Sequence, residues 1–581
     1  MKKLQSLPNE NLSWLILPIF ALILMLPFLN PEYLIRGHDT ELHLNRVVGF
    51  VEAINSGQFP AKVYPNAVNG FGYGWGIFYP PLSVIVPGAF VMLGLDLDIA
   101  FKLFLWLTIS LSGVFMYWLV MDISDSREQS LVASLLYITS PYFLIDVIIR
   151  SAVGEILVFV FLPVLFRGFF SLLYADRSKS YWIALGFAGL AYSHVIGLAL
   201  SVMVSGVFLL LNLHRLWDWD AIRRMVVWSL VALVLSSSFL VPLMEHMLFH
   251  DYNIENMTDN EFPYQMAAYP SQIFSSEFVF NMSSPLGDFK EMPFTLGLIS
   301  LGILVSGLLV FRSLIGHKLA WFYLSAFFLF GISVYLSTIL FPWRQASALV
   351  FIQFPWRFLI FSAFFISLIN GWIYAEINKN QIQPVAIALL SLISLVAIAP
   401  LLDIYVHEDL YFKPRYGDYR YHNFMEEKGH MYNVTFMGGT REYFPLGMDE
   451  TFLRERGDGV TVLRGSADVK DFNRNGNQLD FSISNASSAV LELPLIYYAG
   501  YQVRVTDNNG EDRTLPAYES PNHLVAVDLG GISAGGVRVA YRGTLPGQVG
   551  FYLSFAGWAG LILFGLYRKG TFKLRWSNNR V

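Results

Sequence analysis

Apolar residues fill blocks of about twenty along the first 402 positions, long enough for helices that cross a hydrocarbon layer. Blocks lie near 12–29, 100–121, 129–147, 155–174, 181–193, 195–213, 224–244, 293–311, 319–337, 356–375 and 384–401, and a last one near 549–567. The block 82–94 is short and contains Pro87, which fits a surface or re-entrant helix better than a span. Left out of the count, it places Arg167, Arg177, Lys179, Arg215, Arg223, Arg224, Arg312, Lys318, Lys379, Arg568, Lys569, Lys573 and Arg575 on the side of the N-terminus. The connection from Phe249 to Pro293 carries Lys290 as its single lysine and no arginine. Lys and Arg collect on the cytoplasmic face, so the expectation is about twelve spans with both termini cytoplasmic.

The pattern changes after Leu402. From 403 to 547 the chain is polar, rich in Gly, Asn and Asp, and its apolar positions alternate or cluster at strand length. Strands are expected at Val460 to Leu463, Leu479 to Ile483, Val490 to Leu493, Tyr501 to Val505, Leu524 to Val527 and Val537 to Tyr541. Turn signals such as Asn473-Arg474-Asn475-Gly476 and Asn508-Asn509-Gly510 separate them. The reading is a membrane domain over 1–402 with a first outer loop at 30–81, an outer β-sandwich-like domain over 403–547, and a last span with a basic cytoplasmic tail over 548–581.

Composition agrees. The 581 residues are 55% hydrophobic, 16% aromatic and only 14% charged, with a mean hydropathy of +0.48, which excludes an ordinary soluble protein. A net charge of -5 gives no reason to expect a nucleic-acid partner. The chain has no cysteine, so disulfides, thiolate metal sites and cysteine nucleophiles are excluded. Lys2 and Lys3 followed by Trp14 to Leu29 resemble a signal peptide, but no small-x-small cleavage site follows, and an uncleaved span is expected.

Candidate chemistry concentrates in Gly37 to Arg46, G-H-D-T-E-L-H-L-N-R. Helical spacing puts Asp39, His43 and Arg46 on one face. Leu44, Val47, Val48, Val51 and Ile54 form an apolar stripe on the other, suited to a helix along a membrane surface. The run Gly70-Phe71-Gly72-Tyr73-Gly74-Trp75-Gly76, with Phe78-Tyr79-Pro80-Pro81 after it, offers Tyr73, Trp75 and Tyr79 as a sugar-stacking platform, or as an aromatic belt with turns. Ionisable residues near the outer ends of spans point to a site on that side: Asp146, Arg150, Glu155, His194, Glu245, His246, Arg344 and Arg357. Plainer roles exist for each. Arg150 and Glu155 can pair with one another, Arg357 can stack at the interface, and His194 can be a buried hydrogen-bonding group. A lipid phosphate at this face needs arginines, whose planar donors bind phosphate oxygens in pairs.

Several stretches in order resemble a known family: G-H-D-x-x-x-H-x-x-R at 37–46, G-Q-F-P at 57–60, F-Y-P-P at 78–81, S-P-Y at 140–142, R-S-A-V-G-E-I at 150–156, Y-S-H at 192–194, Q-F-P-W-R-F at 353–358 and R-E-Y-F-P at 441–445. The chain resembles the bacterial membrane proteins labelled "6-pyruvoyl-tetrahydropterin synthase-related", which are similar to YfhO-type proteins of the GT-C glycosyltransferase superfamily. The pterin label carries no activity here. The resemblance implies a GT-C-like helical core with juxtamembrane helices, and transfer of a sugar from a polyprenyl-phosphate or -diphosphate carrier to a lipid, polymer or protein acceptor outside the cytoplasm. Asp39 falls at the acidic position of the first outer loop and is the expected general base. His43, Arg46, Tyr73, Tyr79, Trp75, Arg150, Glu155, His194, Arg344 and Arg357 are the expected substrate-binding residues. The second acid that often holds a divalent cation in such enzymes has no secure counterpart; Glu41 and Glu155 are candidates, and metal dependence stays open. A lipid or oligosaccharide transporter and a non-catalytic envelope scaffold are the competing classes. The first expects matching interrupted repeats, and none is visible.

Overall fold

The computed structural model describes residues 12–256, 259, 261–275, 292, 294–379, 404, 410–419, 441–507 and 510–568. The expected span at 384–401, Lys2 and Lys3, Lys290, Asn508-Asn509 and the basic tail from 569 lie outside these residues.

Seven described helices are long and apolar enough to cross a membrane: Leu97–Ser124, Val153–Tyr174, Trp219–Phe249, Leu298–Ile315, Ala320–Ser337, Pro355–Asn378 and Leu545–Leu566. An eighth forms if Arg127–Ile138 and Pro141–Arg150 are one span bent by 47°. Ser13–Leu24, Leu82–Met92 and Val195–Leu211 are apolar but shorter, and the expected block 181–193 forms the ten-residue helix Trp182–Ala191. Burial ranks the long helices. Pro355–Asn378 and Val153–Tyr174 are 94% and 89% buried, against 17% for Leu298–Ile315 and 11% for Leu545–Leu566. The two inner helices carry Arg357 and Glu155, both buried.

Local chemistry sets the breaks. Ser126 caps Arg127–Ile138 by accepting from Gln129 N at 3.3 Å. Pro141, which has no N–H to donate, sits at the start of the next segment, and the chain turns there. That segment ends in a wider π-helical turn, Ile145–Arg150, and Ser151 then takes a left-handed conformation at φ 53° before Val153–Tyr174 begins.

Helix Thr40–Asn55 does not lie open on a surface as its pattern suggests. Leu44, Val47, Val48 and Val51 are buried, and so are His43 and Arg46 on the other face. Its apolar side packs on Leu82–Met92, where Gly88 makes room for Phe50. Both faces of this helix are covered by protein, so its amphipathic pattern separates an apolar core from the side that carries His43 and Arg46.

Strand β1, Leu34–Ile35, pairs antiparallel with β2, Tyr411–Phe412, tying the first loop to the chain that follows the membrane domain. The strands β3 (Thr461–Asn475), β4 (Gln478–Ile496), β5 (Tyr501–Asp507), β6 (Asp512–Glu519), β7 (Leu524–Asp528) and β8 (Gly535–Tyr541) form one antiparallel sheet. Its order β3-β4-β7-β6-β5-β8 closes through a second β4–β8 pairing. The domain is thus a barrel with β3 appended, and the expected two-layer sandwich is corrected. The cause is the length of β4: Leu479 to Ile483 pair with β8, while Val490 to Ile496 pair with β7. Between them Asn485 and Ser488 have positive φ, and the strand bends to serve both neighbours. Strand β6, D-R-T-L-P-A-Y-E, escaped the pattern because it is largely exposed and has no apolar face.

The Gly/aromatic run 70–76 is the socket for this barrel. Ile496 N donates to Phe71 O at 2.8 Å, Asn477 Nδ2 to Val63 O at 2.7 Å, and Arg474 to Gly70 O. Gly72 has φ +81°, and a Cβ there would lie 2.6 Å from Asn477 Oδ1.

Candidate functional site

Asp39 occupies the N-cap position of Thr40–Asn55, where an aspartate ordinarily accepts from the first helical N–H groups; here the side chain makes no cap bond. Its backbone instead docks on the bent segment, Asp39 N donating to Arg150 O at 3.0 Å and His38 N to Ile149 O at 2.9 Å. Thr40 Oγ1 reinforces the contact by donating to Ser151 Oγ at 2.9 Å. The half-buried Asp39 carboxylate is held by no hydrogen bond or close ion pair among the described residues. Burial pushes it above the ordinary carboxylate range, against the pull of Arg150 and Arg46.

Two turns on, Arg46 is buried and stacks on the ring of Tyr79, its guanidinium carbon 4.0 Å from the centroid, with Trp75 at 5.2 Å. Its Nε has no hydrogen-bond partner, and no carboxylate pairs with it among the described residues. His43 lies 6.1 Å from Tyr79 between ring centroids, and its Nδ1 is likewise without a partner. Burial, with Arg46 and His194 nearby, holds His43 well below the usual imidazole range, so it is neutral. Tyr79 is the half-buried centre of the group. Its hydroxyl lies against Gly154, where an added Cβ would come within 2.8 Å of it and 2.9 Å of His194 Cδ2.

Beside these groups lies a second cluster, in which the charges are paired with one another although Asp146 Oδ2 has no hydrogen-bond partner. Arg150 grips Glu155 with two bonds, Nη1–Oε2 at 2.7 Å and Nη2–Oε1 at 2.8 Å, and also pairs with Asp146. Arg357 reaches Glu155 Oε1 with Nε at 2.9 Å and donates from Nη1 to Ile352 O at 2.8 Å. Tyr142 adds a hydroxyl at 3.3 Å to Glu155 Oε2.

The expected residues therefore separate. Asp39, His43, Arg46 and Tyr79 converge with binding capacity open. Arg150, Glu155 and Arg357 stand beside them and are paired with one another, so their charges are largely met within the cluster. His194 caps Val195–Leu211, its Nδ1 accepting from Gly197 N at 3.0 Å, which leaves the proton on Nε2. Three expectations are corrected. Tyr73 and Trp75 are wholly buried: Tyr73 accepts from Tyr443 N at 2.8 Å and Trp75 packs edge-on to it, so they fix the barrel and leave no open platform. Arg344 is half-exposed, paired to Glu261 at 2.9 Å and stacked on Tyr264, apart from the cluster.

One residue was missed. Glu442, from the R-E-Y-F-P stretch, comes in over the same groups. Ile254 N donates to Glu442 O at 2.8 Å, Tyr443 stacks on Phe78 at 4.5 Å, and Tyr498 Oη donates to Tyr443 O at 3.0 Å. Burial raises the Glu442 carboxyl, and Arg46 and Arg357 are the cations that act against the rise. No periodicity in the loop marks it; its only sequence signal was the motif around it. Among the described residues no three His, Asp or Glu side chains converge as a metal cage.

No protein-family model matches the chain. A protein of Lactococcus lactis subsp. cremoris (strain MG1363), described only as uncharacterized, is 27% identical over 264 residues, 44% of this chain. The match spans 43% of that relative, less than half its length.

Proposed function

We propose that the chain is a membrane glycosyltransferase of GT-C type, moving a sugar from a polyprenyl-phosphate or polyprenyl-diphosphate carrier to an acceptor outside the cytoplasm. The observation that carries this reading is the Asp39 carboxylate, set at an N-cap without capping, two helical turns from an arginine that pairs with no acid among the described residues. Asp39 takes the proton of an acceptor hydroxyl as that oxygen attacks the anomeric carbon. The bond from that carbon to the carrier phosphate breaks, its electron pair leaves with the phosphate, and Arg46 stabilises the charge that develops. Attack opposite the leaving group inverts the centre. Neutral His43 orients Asp39 or the donor, and Glu442 lies where an acceptor hydroxyl would be held. With the bent pair, Ser13–Leu24, Trp182–Ala191, Val195–Leu211 and residues 384–401 counted as spans and Leu82–Met92 left out, the Lys and Arg distribution supports about twelve crossings with both termini cytoplasmic.

A transporter is the second reading. The 47° break between Arg127–Ile138 and Pro141–Arg150, with Asp146 and Arg150 in its second segment, is a device that transporters use. The test is a transfer assay in reconstituted vesicles with radiolabelled polyprenyl-phosphate sugars and envelope extract. Label reaching an acceptor with wild type and not with Asp39→Asn supports the transferase and its base. Transfer by both removes Asp39 as the base. Movement of donor across the bilayer without transfer favours the transporter.

A further inference from the structure

Away from Asp39, a cavity of about 380 Å³ opens where the first outer loop, the barrel and the last helix meet. Lys62 and Arg542 line it, and no carboxylate does. Gln58 and Gly76 fix Lys62 in place. Gln58 Oε1 accepts from Lys62 N and Val63 N at 2.6 and 2.9 Å, and a Cβ on Gly76 would lie 2.8 Å from Lys62 Cα. The Lys62 ammonium donates to Ser238 O at 3.0 Å, which leaves two of its three donors without a partner among the described residues. Glu245, on the neighbouring helix, is engaged by the Thr544 hydroxyl.

The rim is aromatic and open. Phe59 is 75% exposed and meets Phe551 edge-on at 5.5 Å, and Tyr552 is 68% exposed. Beyond it runs Leu545–Leu566, only 11% buried in the protein, with Val549, Leu553 and Phe555 facing outward. Two cations set just inside an aromatic rim, at the end of a helix face that only acyl chains can cover, match the order of charge and apolar surface along a phospholipid.

We propose that this cavity binds the phosphate of an anionic phospholipid, with Lys62 and Arg542 as donors and the acyl chains along Leu545–Leu566. The site is separate from Asp39, and the proposal does not depend on the transferase reading. It clamps the loop, barrel and last helix together through a membrane component.

The test is native mass spectrometry of the full-length protein released from micelles containing phosphatidylglycerol or phosphatidylcholine. Wild type is expected to keep one phosphatidylglycerol under activation that strips phosphatidylcholine. Loss of a charge-assisted pair should cut that retention about tenfold in Lys62→Met and in Arg542→Gln. Arg542 is exposed, so its variant tests the site even where Lys62→Met does not fold. Equal retention by folded Arg542→Gln, or equal retention of both lipids by wild type, overturns the proposal. Displacement of the bound lipid by millimolar inorganic phosphate, with no preference for lipid, assigns the site to a soluble anion and overturns it as well.

Discussion

Two clusters of charge lie side by side in this molecule and differ in what their hydrogen bonds are doing. In the first, Glu155 is shared by Arg150 and Arg357 while Asp146 takes Arg150 from the other side. In the second, Asp39, His43 and Arg46 have no such partners. Both are costly to bury. The first recovers most of the cost within itself, by bidentate geometry between the two innermost helices and the bent segment, with only Asp146 Oδ2 left without a hydrogen-bond partner among its carboxylate oxygens. The second does not, and so it can gain from a ligand what the protein withholds. A paired cluster holds a shape, and an open one keeps the capacity to bind.

The comparison breaks most sharply at turnover. Asp39→Asn keeps size and removes the base, and a lost general base typically costs about 10²–10⁴ in rate. Transfer should fall by that factor, with unchanged thermal unfolding in detergent. Unchanged transfer would make Asp39 a bystander.

Glu155→Gln should do the reverse. It leaves two buried guanidinium groups short of a counter-charge, and breaking such a network costs about 3–5 kcal/mol. The variant should lose its melting transition or fail to leave the membrane folded. A Glu155→Gln protein that melts like wild type yet transfers no sugar would move Glu155 into the binding site.

Arg46→Gln removes the open cation but no ion pair. Donor affinity or turnover should drop about ten- to a hundredfold, the value of one or two charge-assisted hydrogen bonds. Stability should change little, because what is lost is stacking on Tyr79. Arg46→Lys should recover only part, since a compact ammonium cannot match the planar fork. Full activity in Arg46→Gln would return the phosphate role to Arg150 and Arg357.

Acidity sharpens the same contrast. The Asp39 carboxyl is raised, so the acid limb of the pH–rate profile should sit above the ordinary carboxylate value of about 3.9. His43 is depressed in the folded protein, so the unfolded chain binds the extra proton first. Its contribution to stability is present above the unfolded value of about 6.5 and is lost as pH falls below it. His43→Gln should weaken that loss between pH 6 and 5, read from melting temperatures across pH; an unaltered profile would assign the acid sensitivity elsewhere.

How much of this was legible follows the physics of each element. Long apolar runs announced the helices because membrane helices are selected by composition. The i, i+4, i+7 spacing brought Asp39, His43 and Arg46 to one face because a helix converts spacing directly into geometry. Arg150 and Glu155 were expected to bind substrate, and their pairing, five residues apart, was the plainer alternative that the hydrogen bonds now show. The aromatic run misled. Glycine between aromatics signals close approach without saying to what, and Asn477, Tyr498 and Phe71 show that it is the barrel. Arg344 was placed by its span end alone, and an end of a span is a wide area. The barrel was taken for a sandwich because closure depends on one strand, β4, pairing differently at its two ends, which no alternation can display.

Glu442 gives the smallest effect and the one that joins the two regions. It reaches the site from outside the membrane domain, fixed by Ile254 below and by the Tyr443–Phe78 stack beside it. The two carboxyls repel, and Asp39 helps raise Glu442, while Arg150, Arg46, Glu155 and Arg357 are the charged groups that act on Asp39 most. Glu442→Gln should therefore shift the acid limb of the profile slightly downward and change the neutral-pH rate by less than about tenfold, a loss on the scale of one hydrogen bond. Acceptor KM should rise more than kcat falls, because a residue that holds the acceptor acts before the bond is broken. A fall in kcat as deep as that of Asp39→Asn would instead make Glu442 a second acid–base group and place part of the chemistry on the segment that leads to the barrel.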